Sequence, residues 1–372
     1  MGLTNSCDTG GGDINATTQA TVILRETPMH LRGISHDGAI PSVLDDSFWQ
    51  EVVRVPAERV DASMLMHLQS LLGPAATLTP AAGKSGAKDR VRISSILLSE
   101  EESRRCFGNS LLLRTAEGIR ARTAEPRGVL RGAEAHRDQL LAHCGCMGLS
   151  IATSVNCAGH QGTIADMVRE SLEHFDIHQK ELEWTTLAYL HYAPHVKNWQ
   201  DRFGTNHSFN EIAQELLSRP FIGASCNGIH NLIALSAIVE ADRLHAIVSP
   251  DIRSRIIDRL RRAIAVVIET QDREGSWGAV CIYRMPGSRW PNPASQEPVI
   301  EDNKGVNQSI TSHLVLWINT LPSEVSCPAG VKRAGIDWLC KSIADLSPEQ
   351  YWKDYCTNTH VLNAICQSGQ RN

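Results

Sequence analysis

The sequence predicts a mainly α protein. A toroid-like α/α domain of helical-hairpin repeats covers 134–372, and an irregular N-terminal region carries a small β element. Three observations predict this. From about residue 134 the apolar residues recur at helical spacing. Helices apolar on several sides alternate with helices that keep one wet face, as inner and outer layers do. Glu183, His230, His313 and His360 each sit early in an apolar stretch, 47, 83 and 47 residues apart, and the middle gap is close to twice a unit of about 42.

Residues 1–20 are polar and Gly-rich and predict a disordered leader; 21–133 forms an N-terminal α+β portion. The opening MGLTNS also fits the myristoylation pattern, a match that chance in a flexible tail explains as well. The stretch 73–90 has Gly, Pro and charges without periodicity and predicts an exposed loop. Its GKSG lacks the earlier glycine of a phosphate loop, because position 78 is Leu. Residues 108–123 alternate around an Glu-Gly turn and predict a short hairpin.

Helices follow. In 163–175, Ile164, Met167, Val168, Leu172 and Phe175 share one face. The helix at 180–192 ends before Pro194. At 208–219, Ser208 and Glu211 are placed as a capping box. Residues 229–244 are apolar on most faces and should be buried, as should 310–321. Ser-Pro-Asp starts a helix over 249–271 with a basic outer face, and 329–346 is amphipathic.

The run QDREGSWG, 271–278, places Gln271, Gly275 and Trp277 in the Gln-x3-Gly-x-Trp spacing. This resembles the QW repeat of terpenoid cyclases, found in looser form in protein prenyltransferase β subunits and other α/α toroids. The resemblance is strict over eight residues, extends as a helical pattern over 170–372, and rests on a single QW-like motif. The order ELEW, RFG…SF, SCNGIH, QDREGSWG is also similar to bacterial proteins of that toroid type. It implies a structural role for the three residues, closing the turn after an outer helix. It also implies a central cavity at the N-terminal ends of the inner helices. Prenyltransferases and lanthionine cyclases, toroids of this shape, place zinc there on Asp, Cys and His or on two Cys and one His. This chain has no Asp-x-Asp-Asp, and LDDSFW at 44–49 lacks the third Asp of a class I metal motif. Aromatic residues are few, eight Trp, five Tyr and six Phe, so a π-lined carbocation cavity is hard to build.

Two Cys-x3-His pairs, Cys226/His230 and Cys356/His360, head apolar runs. Residues four apart share a helix face and can reach one ion. His313 heads another apolar run and can add a ligand, and Cys157 with His160 forms a further pair. Cys226, His230, His313 and His360 are therefore the candidate metal ligands, with zinc as the candidate cofactor. Equally, a buried Cys acts as a small hydrophobe, and 11 Cys and 15 His produce such pairs by chance. Zinc is the minority expectation for the pairs alone, and it carries one geometric condition: the donor atoms must meet within about 4–5 Å.

Residues 181–204 crowd Glu181, Glu183, Trp184, Tyr189, His191, Tyr192, His195 and Trp199. A carboxylate among aromatics can serve a sugar or cation with Glu183 as general acid or base. A packed helix–loop junction in which Glu183 caps or pairs with Arg202 is the plainer expectation. The candidate catalytic residues are Glu183, His230 and His313.

The net charge of −5 shows no basic footprint, so no nucleic acid is expected. No apolar run is long enough for a transmembrane segment. Eleven Cys, an odd number in a long chain, read as reduced thiols in a cytoplasmic setting. The functional expectation is a metal-assisted transferase or lyase/hydrolase with a small-molecule or peptide ligand in the central cavity. The alternatives are a non-catalytic peptide- or protein-binding helical-repeat module and a carbohydrate-acting α/α barrel.

Overall fold

The structure, a computed structural model, describes residues 22–36, 46–54, 60–78, 90–124, 131–222, 224–288 and 303–369. The leader, the MGLTNS match and the GKSG segment lie outside the described residues. The chain is mainly helical. Its helices are α1 (Asp46–Val52), α2 (Ala62–Leu72), α3 (Ile93–Leu98), α4 (Glu100–Phe107), α5 (Gln139–Cys146), α6 (Ile164–Glu173), α7 (Leu182–Tyr192), α8 (Phe209–Ser218), α9 (Ile229–His245), α10 (Pro250–Thr270), α11 (Ala279–Arg284), α12 (Lys304–Thr320), α13 (Ala329–Ser342), α14 (Pro348–Lys353) and α15 (Tyr355–Gly369). Four antiparallel two-stranded ladders punctuate them: β1 (Thr77–Leu78) with β2 (Val91–Arg92), β3 (Leu112–Arg114) with β4 (Ile119–Ala121), β5 (Ser154–Cys157) with β6 (His160–Thr163), and β7 (Asn198–Gln200) with β8 (Asn206–Ser208). Among the described residues no helix is long and apolar enough to cross a membrane.

The helix starts are chemically specified. Asp61 caps α2 through Met64 N at 2.7 Å, and Thr163 with Asp166 forms a capping box on α6. Ser249 caps α10 ahead of Pro250, whose missing N–H costs nothing in a first turn. Ser208 caps α8, but Glu211 turns to His207 at 3.0 Å instead of closing the box. The expected apolar face of α6 is buried, Ile164, Met167, Val168, Leu172 and Phe175 alike.

Packing follows from those faces. α5 lies against α7, α7 against α9, α9 against α12, α12 against α15, α15 against α2 and α2 against α5, so the pairings return to where they start. Outside them, α6 touches α5 and α7, α8 touches α7 and α9, α10 touches α8 and α9, and α13 touches α12 and α15. α9 is buried nearly all round, whereas α10 buries Ile252, Ile256, Leu260, Ala263, Ile264 and Val267 and leaves Arg261 and Arg262 in water. The hydrophobic core is continuous from Met29 to Ile365.

The Gln271–Trp277 turn locks α10 to α13. Gln271 Nε2 donates to the Gly275 and Val331 carbonyls at 2.9 and 2.8 Å. Trp277 is fully buried and its Nε1 donates to Val267 O at 2.7 Å. Gly275 has φ +105°, and a Cβ there would stand 2.3 Å from the Ala334 carbonyl oxygen, so no other residue fits. Asp272 Oδ1 accepts the Glu274, Gly275 and Ser276 backbone N–H groups at 2.8–2.9 Å, a contribution the sequence motif does not advertise.

Three features differ from expectation. The N-terminal portion, expected as an irregular α+β region, carries α1, α2, α3 and α4, and α2 packs into the core rather than beside it. The hairpin over 108–123 is present as β3–β4, but three other short ladders accompany it. Their strands of two to four residues are too short to show alternation. Third, α12 begins at Lys304, capped by Asn303, not near Ile310, because its first turns are polar.

Candidate metal centre

Cys226 does not share a helix face with His230. Cys226, Asn227 and Gly228 have φ of 49°, 56° and 71°, a left-handed turn ahead of α9. Gly228 is required there, since a Cβ would lie 2.8 Å from Phe221 Cα. The turn swings the thiol back toward the first turn of α9, where His230 is the second residue. His313 sits in the third turn of α12, and His360 in the second turn of α15.

These four residues converge. The Cys226 sulfur and one nitrogen each of His230, His313 and His360 all lie within 4.8 Å of one another. Ring centroids are 4.0 Å apart for His313–His360, 5.3 Å for His230–His313 and 6.3 Å for His230–His360. A tetrahedral zinc ion, at about 2.0–2.1 Å from nitrogen and about 2.3 Å from sulfur, brings its donors to about 3.3–3.6 Å. Side-chain rotations that draw the donors inward by about 1 Å would close the set on an ion.

Hydrogen bonding prepares the donors. His313 Nδ1 lies 2.7 Å from the Ser309 carbonyl, which can only accept, so Nδ1 carries the proton. The lone pair is then on Nε2, which is buried and has no partner. This is how a backbone carbonyl orients a metal-binding histidine. His230 Nδ1 is likewise buried without a partner. Such orphans ordinarily cost about 1–3 kcal/mol each unless something satisfies them. Burial, reinforced by neighbouring imidazoles, pulls His230 and His360 well below the usual histidine range. Burial pulls His313 down to about 4, against the Ser309 bond. The rings are therefore neutral, as ligation requires. Burial pushes the Cys226 thiol up, so it stays protonated until a cation displaces the proton.

A second group adjoins the first. His67, Cys356 and His360 also bring one donor atom each within 4.8 Å of one another. Cys356 and His360 do share a helix, four residues apart on α15. His67 belongs to α2, and its Nδ1 donates to Ser63 O at 2.8 Å, leaving the lone pair on Nε2. The His67 and His360 ring centroids are 5.2 Å apart. His67 was not singled out in the sequence; the signal available was Asp61 capping an apolar run, SMLMHLQSLL, with one histidine in it.

A cavity of about 160 Å³ opens beside these residues, lined by His67, His360, Trp184, His143 and Cys146 among others. Trp184 meets His230 edge-on at 5.0 Å and stacks on His136 at 6.0 Å. Glu183 is buried but does not line the cavity. Burial raises its carboxyl, and a hydrogen bond with Asn231, the neighbour of His230, opposes that. Arg202 bonds His174 instead of Glu183. Cys157 and His160 face each other across the β5–β6 turn, the thiol buried and the imidazole exposed, and join neither donor group.

On the cavity wall the Cys146 sulfur lies 3.5 Å from His191 Nε2, and His191 Nδ1 donates to Met29 O at 2.8 Å. Burial pushes the Cys146 thiol up to about 12 and pulls His191 down to about 4. The pair is thus neutral thiol and neutral imidazole at pH 7. Unfolded His191 titrates near about 6.5. Its contribution to stability is complete above that pH and is lost as pH falls toward 4, because the unfolded state takes up a proton the folded state refuses. Urea unfolding of chelator-treated protein should lose about 1.4 kcal/mol per pH unit from this group between about pH 6 and 4. His191→Gln should remove that increment of slope; an unchanged slope contradicts the assignment.

No protein-family model, no curated protein and no solved structure matches the chain.

Proposed function

We propose that the chain is an α/α toroid, related to terpenoid cyclases and protein prenyltransferases, that works as a zinc-dependent enzyme. Its site is the convergence of Cys226, His230, His313 and His360 beside the central cavity, and its reaction is a metal-assisted transfer or a lyase/hydrolase step. The single observation that carries this is the meeting of four donors, three on separate helices and one on the turn leading into α9, two of them with buried nitrogens that lack any protein partner. The toroid reading is supported by the cyclic packing of α2, α5, α7, α9, α12 and α15, and by the locked turn at Gln271–Trp277. One thiolate and three imidazoles suit zinc rather than calcium or magnesium, which take oxygen.

When bound, zinc would polarise a carbonyl or acidify a water or thiol. The residues around it have separate tasks. Ser309 fixes the His313 tautomer. Trp184 lines the cavity and packs edge-on against His230. Glu183, buried and off the cavity wall, shares a hydrogen bond with Asn231, the neighbour of His230. A space of about 160 Å³ suits a small molecule or one side chain of a peptide; a cavity of about 150 Å³ holds a molecule of benzene's size.

The four-donor count favours a second role for the same ion, a closed structural site. Cobalt(II) loading separates the two. Tetrahedral visible bands with a thiolate charge-transfer band, lost in Cys226→Ser, are expected. Bands that shift when a small thiol or anion enters favour the enzyme; bands indifferent to added ligands favour the structural ion. No cobalt binding to folded protein removes both.

A further inference from the structure

The two donor groups overlap at one residue, His360. We propose, resting on the zinc reading above, that the chain holds two zinc ions, the second on His67, Cys356 and His360, with the His360 imidazole shared between them. An imidazole has two nitrogens on opposite sides of its ring, so one ring can serve two ions only if each nitrogen takes one. The His360 ring centroid is 4.0 Å from that of His313 and 5.2 Å from that of His67, so the ring adjoins a member of each group. Binding the second ion then releases the remaining ring proton to solvent.

Three observations point to a ligand at the second position. The His67 Nδ1 proton is committed to Ser63 O, so Nε2 presents a lone pair. His67 and His360 both line the cavity, while Cys226, His230 and His313 do not. The second group has three protein donors where the first has four. Three donors with a fourth position facing a cavity describe a working zinc site, and four describe a closed one. The second set thus adds to the first ion a neighbour whose open position faces the cavity, and the pair together forms the reacting site. Charge supports the count. Two dications against the Cys226 thiolate, the Cys356 thiolate and an imidazolate leave a single net positive charge, far less than two unneutralised ions would bury.

Zinc per chain, measured by elemental mass spectrometry on the full chain after loading and dialysis, tests this. Two ions are expected. His67→Ala and Cys356→Ser should each leave one, and the His230→Ala/His313→Ala pair should also leave one. His360→Ala should retain neither tightly. One ion per chain in the unaltered protein, or two ions that survive both His67→Ala and Cys356→Ser, overturns the shared pair while the first site stands. No zinc at all removes the first site as well. Circular dichroism of each variant confirms folding, and if a variant fails to fold, the stoichiometry of the unaltered chain, titrated against a chromophoric chelator, decides.

Discussion

Alanine at position 313 should weaken zinc by more than about 100-fold, the upper range for losing even a partner of a ligand. The substitution removes a nitrogen whose tautomer is fixed by Ser309 and whose lone pair has no other use. The effect on stability depends on the ion. With zinc at about 1,000 times the unaltered protein's dissociation constant, the ion adds about 4 kcal/mol. A 100-fold weaker site at the same zinc concentration gains about 1.4 kcal/mol. The difference between zinc-replete and chelator-treated unfolding should therefore shrink by about 2.7 kcal/mol in His313→Ala. In chelator the variant should lie much closer to the unaltered protein, because it also removes a buried polar atom that nothing satisfies. Equal zinc stabilisation in both proteins would remove His313 from the site.

Replacing Trp277 by alanine should cost about 3–5 kcal/mol, whether or not zinc is present. The indole is fully buried, and a Cβ on Gly335 would stand 2.6 Å from its ring, so the glycine exists to receive it. The Val267 carbonyl also loses its donor. Trp277→Phe separates the two contributions: most of the apolar surface stays, and the loss should fall to about 1–3 kcal/mol. Urea midpoints read both. A small effect of Trp277→Ala would mean that the turn after α10 does not hold the layers together.

Much of this was legible in the residues. Ser249-Pro250 announced α10, the Gln-x3-Gly-x-Trp spacing announced its closing turn, and the four candidate ligands were each visible as a His or Cys early in an apolar stretch. The reasons were less visible than the residues. Cys226 reaches the cluster through a left-handed turn, and a spacing rule for helices cannot describe that. His313 lies deep in α12 because the polar residues before it are helical too; capping by Asn303 starts the helix where no apolar period shows. Position 183 shares the histidines' place in the repeat, yet the next residue, Trp184, makes the contact with His230. His67 was hidden for another reason. It has no nearby Cys or His to pair with in sequence, and its partners arrive from almost 300 residues away.

That distance has a consequence for how the molecule is made. The contacts of α2 with α15 and of α1 with α14 join the early part of the described chain to its last helices, so this seam carries the longest loops to close. Contacts of such separation form slowly and late. During synthesis the part of α2 that meets α15 must wait uncovered until α15 has emerged, a period in which exposed surface invites association with other chains. His67 stands on one lip of the seam and Cys356 with His360 on the other. Donors drawn from both lips cannot assemble before the lips meet. Maturation of the open zinc position would then report that the last helix has docked, and adding zinc during refolding should raise the yield of closed molecules by capturing that final step.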